Sequence, residues 1–356
     1  MKLKFKKRLS PQCLPLLSLL AALAIGALMI LLTGNNPLLI YQNMLVGIVG
    51  SRTGVIQTLM QTTPLIFCGL AVAVGMRGGL LNIGVEGQLY IGALCAAIAG
   101  IYVKGLPAAL HIPLCLLAAT AGGAAWAFIP VIMKIKMGAH EVVSALMLNY
   151  IAILLTDYAT NYPMRDVNAS AAQTPMLEIT AQLPKLFARS QVTIAVILGV
   201  LLAAALALFF RYSVTGYKMA LLGANPSAAA AAGVNKTKIM IFTMLLSGAC
   251  SGLAGASQVM GTYGRLIQGF SPGYGFDGIA VAVLGSSPLT VLAGALLFGA
   301  LRAGGTALSY GTNLSIKFIS ALQGVIILLM AAPALMKNVF SGRAAARRHR
   351  KGGEEA

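Results

Sequence analysis

Arg77-Gly-Gly-Leu-Leu-Asn-Ile-Gly-Val-Glu-Gly-Gln88 lies between two long apolar runs. Four glycines (Gly78, Gly79, Gly84, Gly87) interrupt the stretch, which also holds Asn82, Glu86 and Gln88. Glycine admits backbone angles and close approaches that other residues resist. If the flanking runs cross a bilayer, this is a broken helix at membrane depth. Such backbone survives only when it is buried in protein or beside a wet cavity. A carboxylate there is costly, and it marks a transport pathway or a buried pair. Two readings stay open for Asn82, Glu86 and Gln88: a hydrogen-bond knot joining two helices, or the lining of a path.

Composition makes the bilayer the solvent. The 356 residues are 58% hydrophobic and only 10% charged, with a mean hydropathy of +0.85. A soluble domain carries about 25% charged residues. The net charge of +18 would suggest nucleic acid in a soluble protein,. Here the charge gathers in two tails and two loops, as topology-setting charge does, so no nucleic-acid partner is expected. The five cysteines all fall in or beside apolar runs without paired spacing, and read as small core residues rather than a disulfide frame,. With three scattered histidines, neither a metal site nor a nucleophilic triad has material to be built from,. No cofactor and no catalytic residue are expected.

Apolar runs of about twenty residues mark spanning helices. They fall near 14–33, 55–75, 84–101, 107–133, 142–159, 191–210, 239–262, 276–287, 289–304 and 316–335. The eighth is short, with a glycine-rich approach that suggests a broken or re-entrant helix. The first follows a basic start (Lys2, Lys4, Lys6, Lys7, Arg8) as a signal peptide would, but no small-residue cleavage site precedes Thr33, so it reads as a retained span,. The fold class expected is all-α, a polytopic membrane protein of about ten transmembrane helices. With both tails inside, about 18 Lys and Arg fall on inner segments and about 7 on outer ones, which follows the positive-inside rule. The organisation expected is a cytoplasmic basic tail over 1–13, a transmembrane region over 14–335 and a basic cytoplasmic tail over 336–356. Within it, 160–190 is external and 211–238 is a cytoplasmic loop. The C-terminal tail, with Arg347, Arg348, Arg350 and Lys351, suits contact with membrane lipid,.

Two further segments stand out. Gln268-Gly-Phe-Ser-Pro-Gly-Tyr-Gly-Phe-Asp277 resembles the first break in outline: glycines, one acid, then an apolar helix. Glu86 opens the third expected helix and Asp277 the eighth. An offset of five helices reverses orientation, as an inverted repeat requires, and would bring both breaks towards the midplane. An ordinary outer loop is the alternative. In Gly223-Ala-Asn-Pro-Ser-Ala-Ala-Ala-Ala-Ala-Gly233, Asn225 suits a helix cap and Pro226 the first helical position,. The alanines, among them Ala229 and Ala230, favour helix, and Gly233 suits its end. A short helix over 225–232 is expected in the inner loop, either docked in a groove on another protein or lying at the interface. Gly248-Ala-Cys-Ser-Gly252, extended by Gly255, is a close-packing seam,. The chain has no Walker A loop, so any ATP that drives it is bound elsewhere. No helix carries a row of acids and histidines suited to proton relay.

Together these motifs resemble the permease subunits of bacterial nucleoside and simple-sugar ABC importers, the binding-protein-dependent branched-chain and ribose-type permeases. The resemblance rests on 79–88, on His140-Glu-Val-Val-Ser-Ala-Leu-Met-Leu-Asn-Tyr150, and on 216–233, in that order. It is nearest to the longer permease of purine-nucleoside systems. It implies an inverted-repeat importer fold in the cell membrane. It also implies a second homologous permease, cytoplasmic ATPase subunits and an extracytoplasmic substrate-binding lipoprotein as partners. Residues 216–233 look like the family's coupling loop, which makes Gly223, Asn225, Pro226, Ala229, Ala230 and Gly233 the ATPase-coupling candidates. The alanines at 228–232 depart from relatives that carry a larger residue there. Asn82, Glu86, Gln88, Asn149, Tyr150 and Asp277 are the candidates for pathway or packing. The function implied is uptake of nucleosides by alternating access. Ribose, galactose or riboflavin is the alternative cargo, and an ion-coupled secondary transporter the alternative class.

Overall fold

The computed structural model describes residues 24–32, 34–187, 190–285, 287–311 and 324–325. Among them the chain is all-helical; the only extended pairings are isolated bridges, Gln173 with Ile267 and Lys185 with Thr193. The helices are α1 (Ala24–Leu32), α2 (Pro37–Val49), α3 (Arg52–Arg77), α4 (Val85–Tyr102), α5 (Ala108–Met137) and α6 (Glu141–Asn161). After them come α7 (Ala195–Tyr212), α8 (Val214–Ala224), α9 (Pro226–Ala231), α10 (Lys236–Ala256), α11 (Tyr274–Leu284) and α12 (Pro288–Gly311). Seven are long and apolar enough to cross a membrane, or up to eight if α1 and α2 form one bent span. At 11 residues, α11 is too short to cross alone. Apart from 324–325, the expected span at 316–335 lies outside the described residues, as does the start of the one at 14–33.

Residues 52–303 form one compact unit. Its centre is α3, whose apolar window is 78% buried, against 22% for α7. A helix that is apolar all round and enclosed is a core helix. One that keeps Val200, Leu201 and Leu208 exposed has the face that lipid covers,. α10 packs on α3, α4 and α5, and α11 packs on α3. The Gly248–Gly255 seam makes this possible. A Cβ at Gly252 would strike the Ala119 carbonyl of α5, and one at Gly255 the Leu89 carbonyl of α4. Within α3, Thr62 and Thr63 return their hydroxyls to the carbonyls of Thr58 and Leu59, so these polar groups cost little at depth,.

Between α6 and α7, the stretch 174–183 is tied to the stretch that follows α10. Thr174 N–H donates to Leu266 O at 2.9 Å, Leu177 N–H to Gly264 O at 2.9 Å and Leu183 N–H to Met260 O at 2.9 Å. At the opposite end of the unit, Lys134 of α5 pairs with Glu141 of α6.

The other unit comprises 1–51 and 304–356. Within it, Gly304 sits against Met44 and Ile48, and Gly47 against Ala307, so small residues again set a close helix crossing,.

Two helices depart from expectation. Gly34-Asn35-Asn36-Pro37 follows one helix but also starts the next. Asn36 Oδ1 accepts the Leu38 N–H at 3.0 Å, and Pro37 takes the first helical position,. The 211–238 loop is mostly helical. Ser213 caps α8 by accepting from Gly216 N–H at 2.9 Å. Its 11-residue run is too short and mixed to register as a span.

Candidate functional site

The structure brings the two glycine-rich breaks into contact. Glu86, in the first turn of α4, is 2% exposed. Its Oε2 accepts the Gly275 N–H of α11 at 2.6 Å, and its Oε1 accepts the Ser271 hydroxyl at 2.6 Å. Ser271 Oγ in turn accepts the N–H groups of Gly273 and Tyr274 at 3.3 and 3.2 Å. The carboxylate and the serine therefore satisfy the first turn of α11, where unpaired N–H groups and the positive end of the helix dipole lie. Gly275 is required by this approach, because a Cβ there would collide with the Glu86 backbone.

Asn82, Gln88 and Asn149 do the same for the start of α4. Asn82 Oδ1 accepts from Gly84 N–H at 3.0 Å and from Gln88 Nε2 at 3.1 Å. Asn82 Nδ2 donates to Gln88 Oε1 and to Ser247 Oγ, each at 2.8 Å. Asn149 reaches across from α6, accepting Gly87 N–H at 2.8 Å and donating to Ile83 O at 3.0 Å. Ser247 and Ser251 of α10 donate to Ala71 O at 2.5 Å and to Val85 O at 2.6 Å. The buried backbone of the break is thus paired by side chains from the break itself, α6 and α10, as buried polar groups require,.

Asp277 stands one turn into α11 and pairs with Arg302 of α12, Nε to Oδ2 at 2.7 Å. The guanidinium also donates to Pro272 O at 3.1 Å and lies over the Tyr274 ring, 4.9 Å from its centroid. The Tyr274 hydroxyl donates to Gln61 Oε1 at 2.7 Å. Tyr150, adjacent in sequence to Asn149, is 64% exposed. In the seven-residue π-helical turn Ser257–Tyr263 that continues α10, Gln258 Nε2 is buried without a partner. Such turns recur at functional sites.

The 223–233 segment folds into α9, six residues long. Asn225 Oδ1 accepts from Ser227 and Ala228 N–H at 2.9 and 3.1 Å, Pro226 is the first helical residue, and Gly233 has φ of +73°. Ala229 faces its own chain and is fully buried, whereas Ala230 is exposed. Gly223 meets the first break directly. A Cβ on it would come 2.5 Å from Arg77 O and 2.9 Å from Gly79 N. Gly79, at φ +74°, has Gly223 Cα 2.9 Å from where its own Cβ would stand.

The residues missed from the sequence are Ser271, Arg302, Ser247, Ser251 and Gln258. Ser247 and Ser251 carry a signal in the sequence: two hydroxyls, four residues apart, at the start of the small-residue seam of α10 and within it.

Helices of membrane-crossing length, with the break before α4 abutting the break before the short α11, define a polytopic helical membrane protein. The chain belongs to the family described as the permease component of branched-chain amino acid transport systems, whose pattern matches residues 54–331. It is 36% identical to a guanosine ABC transporter permease of Bacillus subtilis, over 94% of this chain and 97% of that one. It is 33% identical to a glucose ABC transporter permease of Haloferax volcanii, over 94% and 90%. A nucleoside ABC transporter permease of Lactococcus lactis is 30% identical over 82% of both chains.

Proposed function

We propose that this chain is one of two permeases in an ABC importer that carries nucleosides, purine nucleosides foremost, into the cytoplasm. The observation that carries the reading is the near full-length match to a guanosine permease. The glucose relative, matched over a similar length, supports a simple sugar as the second reading. The partners in this account are a second homologous permease, cytoplasmic ATPase subunits, and a lipoprotein that delivers cargo from outside. The transmembrane region runs over 14–335 as ten spans, both tails are cytoplasmic, and the two halves are inverted repeats. Contact between the Glu86 and Asp277 breaks favours that repeat,.

In this account Asn82, Gln88 and Asn149 hold the start of α4, and Glu86 holds the start of α11. Motion that parts the two helix starts opens the path. The Gln258 amide is the polar group this reading assigns to cargo; among the described residues Thr58 Oγ1 and Asp157 Oδ1 are also buried without a partner. The ATPase grips the exposed side of α9. Its movement reaches the break through Gly223 and Gly79, which no side chain cushions. Cells expressing the full importer should take up labelled guanosine, and excess unlabelled inosine should compete where glucose, ribose and riboflavin do not. Competition by glucose alone would transfer the assignment to the sugar reading.

A further inference from the structure

A cavity of about 310 Å³ opens between the ends of α3, α7 and α12, beside the Arg77 end of the first break. Arg77 and Arg211 line it, Ser287 stands at its edge, and Ala207, Phe210 and Leu289 give it an apolar floor. Arg77 is held over the Phe210 ring, 5.6 Å from its centroid, and Arg211 over Tyr212 at 5.4 Å. Both guanidinium groups are thereby positioned by rings rather than by acids.

The described carboxylates are accounted for elsewhere. Glu86 and Asp277 are bound at the breaks, and Glu141 pairs with Lys134. Asp157 lies near the far end of α6, and Asp166 and Glu178 lie in the segment beyond it. Two guanidiniums in one concavity therefore face no carboxylate among the described residues. The forked guanidinium matches phosphate oxygens two at a time. The cavity also adjoins the least buried spanning helix, α7, whose exposed Val200, Leu201 and Leu208 form a face suited to acyl chains.

We propose that this cavity binds the phosphate of an anionic phospholipid, with its acyl chains lying along α7. Basic pockets between spanning helices take such headgroups. The orientation proposed above puts this lipid in the cytoplasmic leaflet, and only that assignment depends on it. The apolar face of α7 favours lipid over a soluble phosphate.

The test is native mass spectrometry of the purified complex, with phosphatidylglycerol and phosphatidylcholine supplied in equal amounts. Phosphatidylglycerol should be retained preferentially. The double variant Arg77→Gln, Arg211→Gln should bind it about 30-fold less, since each basic residue near a membrane surface contributes about 1 kcal/mol. Ser287 Oγ accepts the Thr290 N–H at 3.2 Å in the first turn of α12; Ser287→Asp keeps that acceptor and both arginines, so it should fold and still expel the lipid. The pair Lys104→Gln, Arg165→Gln, at the other end of the bundle, should leave retention unchanged. Four results would overturn the proposal. One is equal retention of phosphatidylcholine, and another is an equal loss in the Lys104, Arg165 control. A third is displacement by millimolar inorganic phosphate, which would make the ligand a soluble anion. The fourth is retention that appears only after the ATPase is stripped away, which would assign the arginines to a protein partner.

Discussion

Replacing Glu86 separates two roles that a buried carboxylate can play. In the structure it receives two hydrogen bonds at 2.6 Å, from Ser271 Oγ and Gly275 N–H, and is almost fully enclosed. Glu86→Gln keeps the shape. Its amide oxygen can still accept from Gly275, but its amide nitrogen faces Ser271 Oγ, whose two lone pairs already take the Gly273 and Tyr274 N–H groups, so one of these bonds must give way,. The loss is charge assistance plus one weakened bond, about 1–2 kcal/mol. Glu86→Leu leaves the Gly275 N–H and the Ser271 hydroxyl buried without an acceptor, at about 1–3 kcal/mol each, so about 2–6 kcal/mol in total. That is enough to release the start of α11. The assay pairs thermal unfolding of the purified complex with cargo uptake, both normalised to membrane abundance. The glutamine variant should unfold near the wild-type temperature and transport at a substantial fraction of its rate, while the leucine variant should lose both. Normal uptake and abundance in Glu86→Leu would refute the anchoring argument. A stable but inactive Glu86→Gln would instead place the charge itself in the transport pathway.

The two faces of α9 should respond differently to bulk. Ala230→Trp, on the exposed side, should leave permease abundance unchanged but cut cargo-stimulated ATP hydrolysis and uptake together, by about tenfold, since overpacking a joint costs about 1–3 kcal/mol; Ala229→Trp, on the buried side, should reduce the amount of folded protein. A cysteine at Ser227 should crosslink to the ATPase, and failure with every ATPase surface position would remove α9 from the transmission. Gly79→Ala must place a side chain at φ +74° and against Gly223, a strain of about 1–2 kcal/mol,; it should weaken coupling, read as ATP hydrolysis no longer stimulated by cargo. A cysteine at Asn168 should react with an impermeant maleimide in intact cells and one at Lys351 only after permeabilisation; the reverse pattern would invert the proposed topology.

The sequence reading located most helices because crossing a bilayer demands runs whose length and apolarity leave few alternatives. The runs expected at 55–75 and 107–133 appear as α3 and α5 with ends shifted by a few residues. The start of α2 escaped because Pro37 serves equally as a stop and as a first helical residue. α8 escaped because a short helix capped by Ser213 has no long periodic pattern. In the site, the glycines and isolated polar residues of 77–88 mark the broken helix, and Asn82, Glu86 and Gln88 stand out there as Asn149 does in 140–150. What they bind was not legible. Ser271 and Gly275 lie 185 and 189 residues from Glu86, and Ser247 lies 165 from Asn82. Nothing local encodes which of several buried hydroxyls will meet a given acceptor. The same distance problem hid Arg302, whose pairing with Asp277 depends on how α11 and α12 pack. It also hid the contact of Gly79 with Gly223, since a glycine gives no sign of what its missing side chain makes room for.

The central claim is that this chain moves nucleoside only when a partner ATPase turns over. The direct measurement is accumulation of labelled guanosine by inside-facing proteoliposomes containing both permeases and the ATPase, with the binding protein outside and ATP either inside or absent. Accumulation should require internal ATP and an ATPase able to hydrolyse it, and should be indifferent to imposed proton or sodium gradients. Uptake driven by an ion gradient, by permease alone and without nucleotide, would contradict the account and make the chain a secondary transporter.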